Sequence, residues 1–347
     1  MANRYWVGGT GTWDPASTSW STTSGGSPGS AAPLSTDNAI FDANSGGGIV
    51  TVEDGPGGSG NPPECASLIC TGFTGSIDCT SFPYPINVNG DVTLSSGGDF
   101  TLLWVVIVSG SSSTLTSVGK TINEIDIESG ATLTLADDLV DVSSGLFVSG
   151  TFTTNNFNVT PAFVSAFGTL NMGSSTVTID LNWFIDTAAT INAGTSTINM
   201  MNATGIFDGG DQTYYNLNIV NSIELTGNNT FNTISNSTQP ITIDFAAGST
   251  QTVTNFNVSG TAGNLVTLQS TTPGSQFTLS KASGTVSRNY LSIKDSAATG
   301  GAAWYAGANS TNVSNNSGWT FTAPPAPGGP SIVISAGVTI SGGVTIG

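Results

Sequence analysis

The segment LNMGSSTVTI (Leu170–Ile179) and the segment INAGTSTINM (Ile191–Met200) match position for position. Their glycines, Gly173 and Gly194, are 21 residues apart. Three apolar positions also match: Leu170 with Ile191, Val177 with Ile198, and Ile179 with Met200. Each copy alternates apolar and polar residues around a Gly-containing turn, which is typical of short half-buried strands. The two segments therefore predict consecutive copies of one strand-and-turn unit.

The same alternation continues through most of the chain, and Gly130, Gly150 and Gly168 recur at intervals of 20 and 18 residues. A period near 20 made of short strands and glycine turns is typical of a β-solenoid. We expect an all-β, right-handed parallel β-helix of about 12 coils, on the order of 60 Å long at ~4.8 Å per coil. A pair of β-sandwiches also uses many short strands, but the matched repeat favours the solenoid.

The composition agrees with a strand-rich protein. Of 347 residues, 37% are hydrophobic and only 8% are charged, whereas about 25% is usual for charged residues in globular proteins. Ser, Thr, Asn and Gly must therefore cover the surface, and such a surface suits strands better than helices.

The net charge of −17 excludes several classes of function. Five basic residues against 22 acidic ones do not support binding to nucleic acid or to an anionic membrane. The absence of histidine excludes every Ser-His and Cys-His mechanism. The most apolar run, residues 100–110, is too short to span a bilayer, and the N-terminus has no apolar stretch typical of a secretory signal.

Three cysteines, Cys65, Cys70 and Cys79, fall in one short segment. An odd number argues against a full disulfide framework. One disulfide and three buried free thiols both remain open.

The chain divides into four predicted regions. Residues 1–63 form a β-rich N-terminal capping or docking module, residues 64–322 the solenoid, and residues 323–330 a Pro/Gly linker. Residues 331–347 form a tail of period six that is too apolar to bury its own side chains, so we expect an oligomerisation ribbon and a homotrimer. A flexible tail is the alternative. The apolar positions of the period are Ile332, Ile334, Val338, Ile340, Val344 and Ile346.

Large aromatic residues lie near both ends of the predicted solenoid. Trp6, Trp13 and Trp20 are spaced by seven residues among Gly, Ser and Thr, and Trp304 and Trp319 lie near the C-terminal end. The intervening residues do not support a coiled coil. Because the open ends of a solenoid must be covered, we expect these tryptophans to cap or dock it. Sugar binding by the N-terminal tryptophans is the alternative.

Three stretches carry a resemblance to known proteins. The N-terminal YWVGGTGTWDPASTSWSTTSGG, the segment from Gly248 to Phe321, and the terminal ISAGVTISGGVTIG resemble parts of bacteriophage virion fibre or tailspike-like proteins and of bacterial surface proteins with a right-handed β-helix body. The resemblance implies a structural protein of a phage particle. It transfers no catalytic residue.

Candidate site residues are few. Glu124, Asp126 and Glu128 share one predicted strand face, where they form a solvated surface, hold calcium or take part in sugar chemistry. Tyr214 and Tyr215 are candidates for glycan contact, with one of the two facing outward on a strand. Trp104 and Trp183 are expected in the core. We predict no other cofactor and no enzymatic activity.

These observations together predict a rigid phage fibre, located in the virion, that contacts other virion proteins and a glycan or protein of the host surface. The alternatives are a capsid-decorating or head-fibre protein, a bacterial surface adhesin and a glycan depolymerase.

Overall fold

The computed structural model describes residues 1–53, 61–80, 84–107 and 112–325, and these residues contain strands and turns but no helix. Parallel strands stack into a β-solenoid of about 12 turns. This confirms the predicted fold class against the sandwich alternative, whereas its right-handedness stays a prediction. Residues 326–347, with the predicted oligomerisation ribbon, lie outside the described residues.

The described parts of the chain contain 38 strands. The first twelve are β1 (Asn3–Trp6), β2 (Gly11–Trp13), β3 (Trp20–Ser21), β4 (Asn38–Asp42), β5 (Ile49–Val52), β6 (Glu64–Cys65), β7 (Leu68–Thr71), β8 (Ser76–Asp78), β9 (Ile86–Val88), β10 (Val92–Thr93), β11 (Asp99–Leu102) and β12 (Trp104–Ile107). The next thirteen are β13 (Ser113–Thr116), β14 (Thr121–Ile127), β15 (Thr132–Leu135), β16 (Leu139–Val148), β17 (Thr151–Thr153), β18 (Val159–Pro161), β19 (Phe163–Ala166), β20 (Thr169–Asn171), β21 (Thr176–Ile179), β22 (Asn182–Ile185), β23 (Thr190–Asn192), β24 (Thr197–Met200) and β25 (Gly205–Asp208). The last thirteen are β26 (Thr213–Ile219), β27 (Ile223–Thr226), β28 (Thr230–Asn236), β29 (Thr242–Phe245), β30 (Thr250–Asn257), β31 (Val266–Ser270), β32 (Phe277–Ser280), β33 (Thr285–Ser287), β34 (Leu291–Lys294), β35 (Ser296–Thr299), β36 (Ala303–Tyr305), β37 (Thr311–Ser314) and β38 (Trp319–Thr320).

These strands form four sheets that run along the solenoid. The first has ten strands in the order β23-β20-β17-β15-β13-β10-β7-β4-β1-β3, and the second has the order β11-β8-β5-β2. A long third sheet contains the strands from β6, β9 and β12 to β37, and a short fourth sheet has the order β33-β36-β38. Every strand pair is parallel except β1 with β3. The first sheet runs without a break from β1 into β7, across the predicted boundary at residue 63.

The repeat found in the sequence is a register of the structure. Leu170 lies beside Ile191 in the β20–β23 pair, and the β21–β24 pair places Val177 beside Ile198 and Ile179 beside Met200. Gly173 and Gly194 occupy the same place on consecutive turns, with positive φ angles of 53° and 56°. The amide of Thr195 donates to the carbonyl oxygen of Gly173 over 2.7 Å. Only glycine adopts this backbone without strain, which explains why it recurs.

The turns become shorter away from the N-terminus. Tyr5 pairs with Ile40, 35 residues later, and Ile40 pairs with Ile69, 29 residues later. Phe152 and Leu170 pair at a separation of only 18 residues. The predicted period near 20 therefore describes the middle of the chain, whereas the first turns are wider.

Apolar and aromatic side chains stack inside the solenoid from turn to turn. Trp183, Phe207, Tyr214 and Phe231 form one such stack, with the rings of Phe207 and Tyr214 5.1 Å apart. The expected core position of Trp183 is confirmed, since it is 1% exposed. Burial of such side chains from water stabilises each by roughly 1.5–3 kcal/mol, and no turn could achieve this burial without its neighbours.

Aromatic clusters lie near both ends of the described solenoid. Trp6, Trp13 and Trp20 are buried and surround Phe41, and Trp20 lies 5.2 Å from Trp6 and 5.1 Å from Trp13 between ring centroids. At the other end Trp304 and Trp319 pack 5.1 Å apart. This position fits the expected capping, which itself stays a prediction.

The cysteines are free and buried. Of the two arrangements that the sequence left open, the structure therefore has buried thiols acting as small apolar side chains. Burial raises the pKa of all three thiols, in the case of Cys79 to about 12.

Candidate functional site

One outward-facing surface of the long sheet combines aromatic rings with carboxylates. We call it the aromatic–carboxylate face. It consists of the outer side chains of β12, β14, β16, β19, β22 and β25: Trp104, Glu124, Asp126, Phe147, Phe163, Phe184 and Asp208.

Strand alternation places these residues outside. On β16, Leu146 and Val148 are buried while Phe147 between them is 36% exposed. On β22, Trp183 and Ile185 point into the core, so Phe184 points outward. Since the inner positions of these strands are already filled by apolar side chains, the outer phenylalanines are not needed for the core.

The three phenylalanines form a ladder that crosses three turns. The ring centroids of Phe147 and Phe163 are 5.5 Å apart, and those of Phe163 and Phe184 are 5.6 Å apart. Gly145 makes room for the ladder, because a Cβ at this position would come within 2.9 Å of the Phe147 ring and 3.3 Å of the Phe163 ring. Phe167, which is 61% exposed, directly follows β19 at the edge of this face.

Trp104 lies at the end of the face and not in the core, so the expected core position was wrong. It is half-buried, and its indole N–H donates to Asp126 Oδ2 over 2.8 Å. The β12–β14 register places Trp104 directly beside Glu124. The indole thereby holds one carboxylate in place and contacts the strand that carries a second.

Burial and neighbouring charge shift the ionisation of both carboxyl groups. Burial raises the pKa of Glu124 to about 7, and the nearby Asp126 charge raises it further. Burial also raises the pKa of Asp126, although the bond from Trp104 opposes this change and Glu128 adds to it. These two groups hold protons to a higher pH than ordinary surface carboxyls.

A shallow open groove of about 290 Å³ runs beside the carboxylates. It is lined by Glu124, Asp126, Ile127, Glu128, Phe147 and Ser149. One wall of the groove is therefore acidic and the other carries an exposed ring. Such a groove can hold an extended ligand that has both apolar faces and hydrogen-bond donors.

Calcium binding by Glu124, Asp126 and Glu128 does not fit the geometry. In the described residues no group of three acidic, Cys or His side chains lies close enough to hold a metal ion. Glu124 and Asp126 stand two residues apart on a strand, about 6.5 Å along it, and Glu128 follows the end of β14. The three carboxylates therefore do not converge on one ion.

The predicted tyrosine pair separates in the structure. Tyr214 is 2% exposed, and its hydroxyl donates to the Gly209 carbonyl over 2.8 Å while accepting from Trp183 Nε1 over 3.2 Å. Glycan contact by Tyr214 was therefore wrong, because the ring belongs to the internal stack. Tyr215 faces outward as expected of one member of the pair, and it lines a separate groove with Ile191 and Ala193.

The phenylalanine ladder was missed in the sequence. Its members lie in GLFVSG, PAFVSAFG and NWFID, where apolar residues occupy adjacent positions. In such runs the alternation does not say which residue faces outward. The one usable signal is the spacing of Phe147, Phe163 and Phe184 at intervals close to the repeat.

Comparisons with known proteins leave the family open. No family model, no curated protein and no solved structure matches the chain. In the described parts of the chain no helix is long and apolar enough to cross a bilayer.

Proposed function

We propose that the chain is a structural fibre protein of a phage virion, a tail fibre or tailspike-like rod, that attaches the particle to the host surface. The observation that carries this proposal is the aromatic–carboxylate face on the side of a continuous parallel solenoid. A long sheet displays the same outer positions on every turn, so it can hold a chain-like ligand along its length.

The composition supports a role outside a host cell. With 8% charged residues and a surface of Ser, Thr and Asn, the rod has few long side chains to mark it for proteolysis. Its strands are paired with those of neighbouring turns, which leaves few open edges along the rod.

The proposed partners are other virion proteins, a host surface glycan or protein, and two further copies of the chain. The homotrimer rests on the period-six tail at residues 331–347, outside the described residues. Light scattering of the full chain and of a chain ending at residue 330 tests it. A monomer in both cases contradicts it.

Labelling and competition test the function itself. Antibodies against the purified chain should label projecting fibres of the particles in electron micrographs, and the purified chain should slow adsorption of those particles to host cells. Label spread over the capsid would indicate a decorating or head-fibre protein instead. Label on the bacterial surface without particles would indicate an adhesin.

Glycan cleavage is the competing function, favoured by one observation. Glu124, with its pKa raised to about 7 beside Asp126, has the protonation of a general acid next to a second carboxyl. Glycosidases pair such groups across a bond. Incubation with host polysaccharide should leave chain length unchanged. Shortened chains, formed by the native protein and not by Glu124→Gln, would replace attachment with depolymerisation.

A further inference from the structure

We propose that the aromatic–carboxylate face binds glycan chains that carry positively charged amino groups and rejects chains that carry acidic groups. This inference deepens the attachment function proposed above and rests on it. Two independent features of the face, the rings and the carboxylates, favour the same ligand charge.

The exposed rings attract cations. The face of an aromatic ring is electron-rich, so an ammonium group placed over it is stabilised. The same faces pack against the apolar C–H surfaces of sugar rings. The Phe147–Phe163–Phe184 ladder repeats at 5.5 and 5.6 Å. A ladder of this regularity favours a ligand that is itself a repeating chain.

Carboxylates stand at both ends of this ladder. The β14–β16 register places Asp126 beside Phe147, and the β22–β25 register places Asp208 beside Phe184. Glu124 and Glu128 line the groove next to Phe147. An ammonium group lying on the rings is therefore close to a carboxylate at either end, whereas an acidic sugar would be repelled at both.

Basic side chains of the protein do not neutralise this face. The single ion pair in the described residues joins Arg4 to Asp37 over 3.3 Å. Lys120 lies near Asp99, and the Lys281 ammonium donates to the Thr254 carbonyl oxygen. The carboxylates of the face therefore remain available to a cationic ligand.

A second copy of the chain is a poor occupant of this face. Two copies would bring together the same carboxylates on a chain of net charge −17. A basic peptide would satisfy the charge but not the regular ring spacing. The cationic glycan satisfies both.

Calorimetry on the full chain can separate these ligands. Three oligosaccharides of one backbone serve as probes: N-acetylated chitin, which is neutral; chitosan, which carries free amines; and N,N,N-trimethyl chitosan, whose charge is permanent. Oligogalacturonate is the acidic probe and oligolysine the peptide probe. At about pH 7.5, where the quaternary ammonium and the carboxylates are charged, we expect trimethyl chitosan to bind about tenfold more tightly than the acetylated form. Added salt should reduce this preference, and oligogalacturonate should not bind.

Matched variants connect the effect to the face. Phe163→Ala should weaken binding of both neutral and cationic probes, whereas the double variant Glu124→Gln/Asp126→Asn should remove only the preference for the cationic probe. Tyr5→Ala and the double variant Asp14→Asn/Glu53→Gln, which changes residues directly following two paired strands of another sheet, should leave both unchanged. Circular dichroism confirms that each variant is folded.

Each contrary outcome has its own meaning. Equal binding of neutral and cationic probes would overturn the charge preference and leave the attachment function standing. Oligolysine binding as tightly as trimethyl chitosan, with the same loss in Phe163→Ala, would reassign the face to basic peptides. No glycan binding by a chain that still slows adsorption would overturn the glycan ligand alone. Failure of the label to reach particles, together with failure to slow adsorption, would overturn the proposed function.

Discussion

The indole N–H of Trp104 donates a 2.8 Å hydrogen bond to Asp126 Oδ2 on the adjacent turn. A donor aimed at a carboxylate favours its charged form, so this bond lowers the pKa of Asp126 against the effect of burial. The bond joins the two turns at the edge of the aromatic–carboxylate face.

The Trp104→Phe variant should therefore raise the pKa of Asp126 further, because the carboxylate loses its donor while burial persists. Carboxyl carbon shifts from an NMR titration measure this change. Trp319→Phe is the control, since its N–H donates to the Ser296 hydroxyl over 3.0 Å and to no carboxylate. An unchanged Asp126 titration in Trp104→Phe would contradict the role of the indole.

Glu124 should make the folded protein less stable as the pH rises. Its pKa is raised from 4.5 to about 7 in the fold, so the folded state binds the proton more tightly than the unfolded state. The stability that this group contributes is complete below about pH 4.5 and is lost as the pH rises to about 7.

Melting temperatures measured across this pH range test the effect. The difference between the native protein and Glu124→Gln should shift against the native protein as the pH rises to about 7, and then stay constant. Val140→Ala, an exposed substitution without an ionisable group, should give a constant difference. Parallel melting curves for the native protein and Glu124→Gln would show that Glu124 does not act in this way.

Gly194 should tolerate no side chain. A Cβ there would lie 2.2 Å from the Gly173 carbonyl oxygen, on a backbone with φ of 56°. We expect Gly194→Ala to lower the unfolding free energy by about 3 kcal/mol or more. Gly248→Ala is the matched control, because φ is 77° but no atom lies within 4 Å, so the cost there is only about 1–2 kcal/mol. Urea unfolding compares the two, and equal losses would mean that the stacked carbonyl is not the constraint.

The register was predictable from the sequence, but the side of the sheet that each residue faces often was not. Leu170 and Ile191 match in sequence and pair in space, because each turn must place the same residue type in the core. By contrast, Leu146, Phe147 and Val148 are consecutive apolar residues, and only the stacking of neighbouring turns decides that Phe147 faces outward.

The same reason explains the two errors about individual aromatic residues. Trp104 was expected inside because it lies in an apolar run, yet Val105 and Ile107 fill the core and turn it outward. Tyr214 was a candidate for the surface, yet its ring fills the space between Phe207 and Phe231. Such choices depend on residues about one turn away in sequence, which local patterns do not include.

Trp13 should stabilise the first turns and not the whole solenoid. Its buried indole packs 5.1 Å from Trp20 and 5.9 Å from Phe41. Removal of such a side chain costs about 3–5 kcal/mol, and in a solenoid each turn contacts mainly its neighbours. In Trp13→Ala, hydrogen exchange should speed up in β1 to β5 and stay slow in β21 to β28. A uniform increase along the chain would instead mean that the N-terminal cluster supports the whole rod.

The three cysteines should react only after the fold opens. Thiolate is the reactive form of cysteine, and burial raises the pKa of all three thiols, in the case of Cys79 to about 12. At about pH 8 the folded protein should therefore react with Ellman's reagent far more slowly than a free thiol, and addition of denaturant should release all three. Because the thiols lie on the wide early turns, Trp13→Ala should accelerate their labelling, whereas Phe163→Ala should not. Rapid labelling of the intact native protein would contradict the buried position of these thiols.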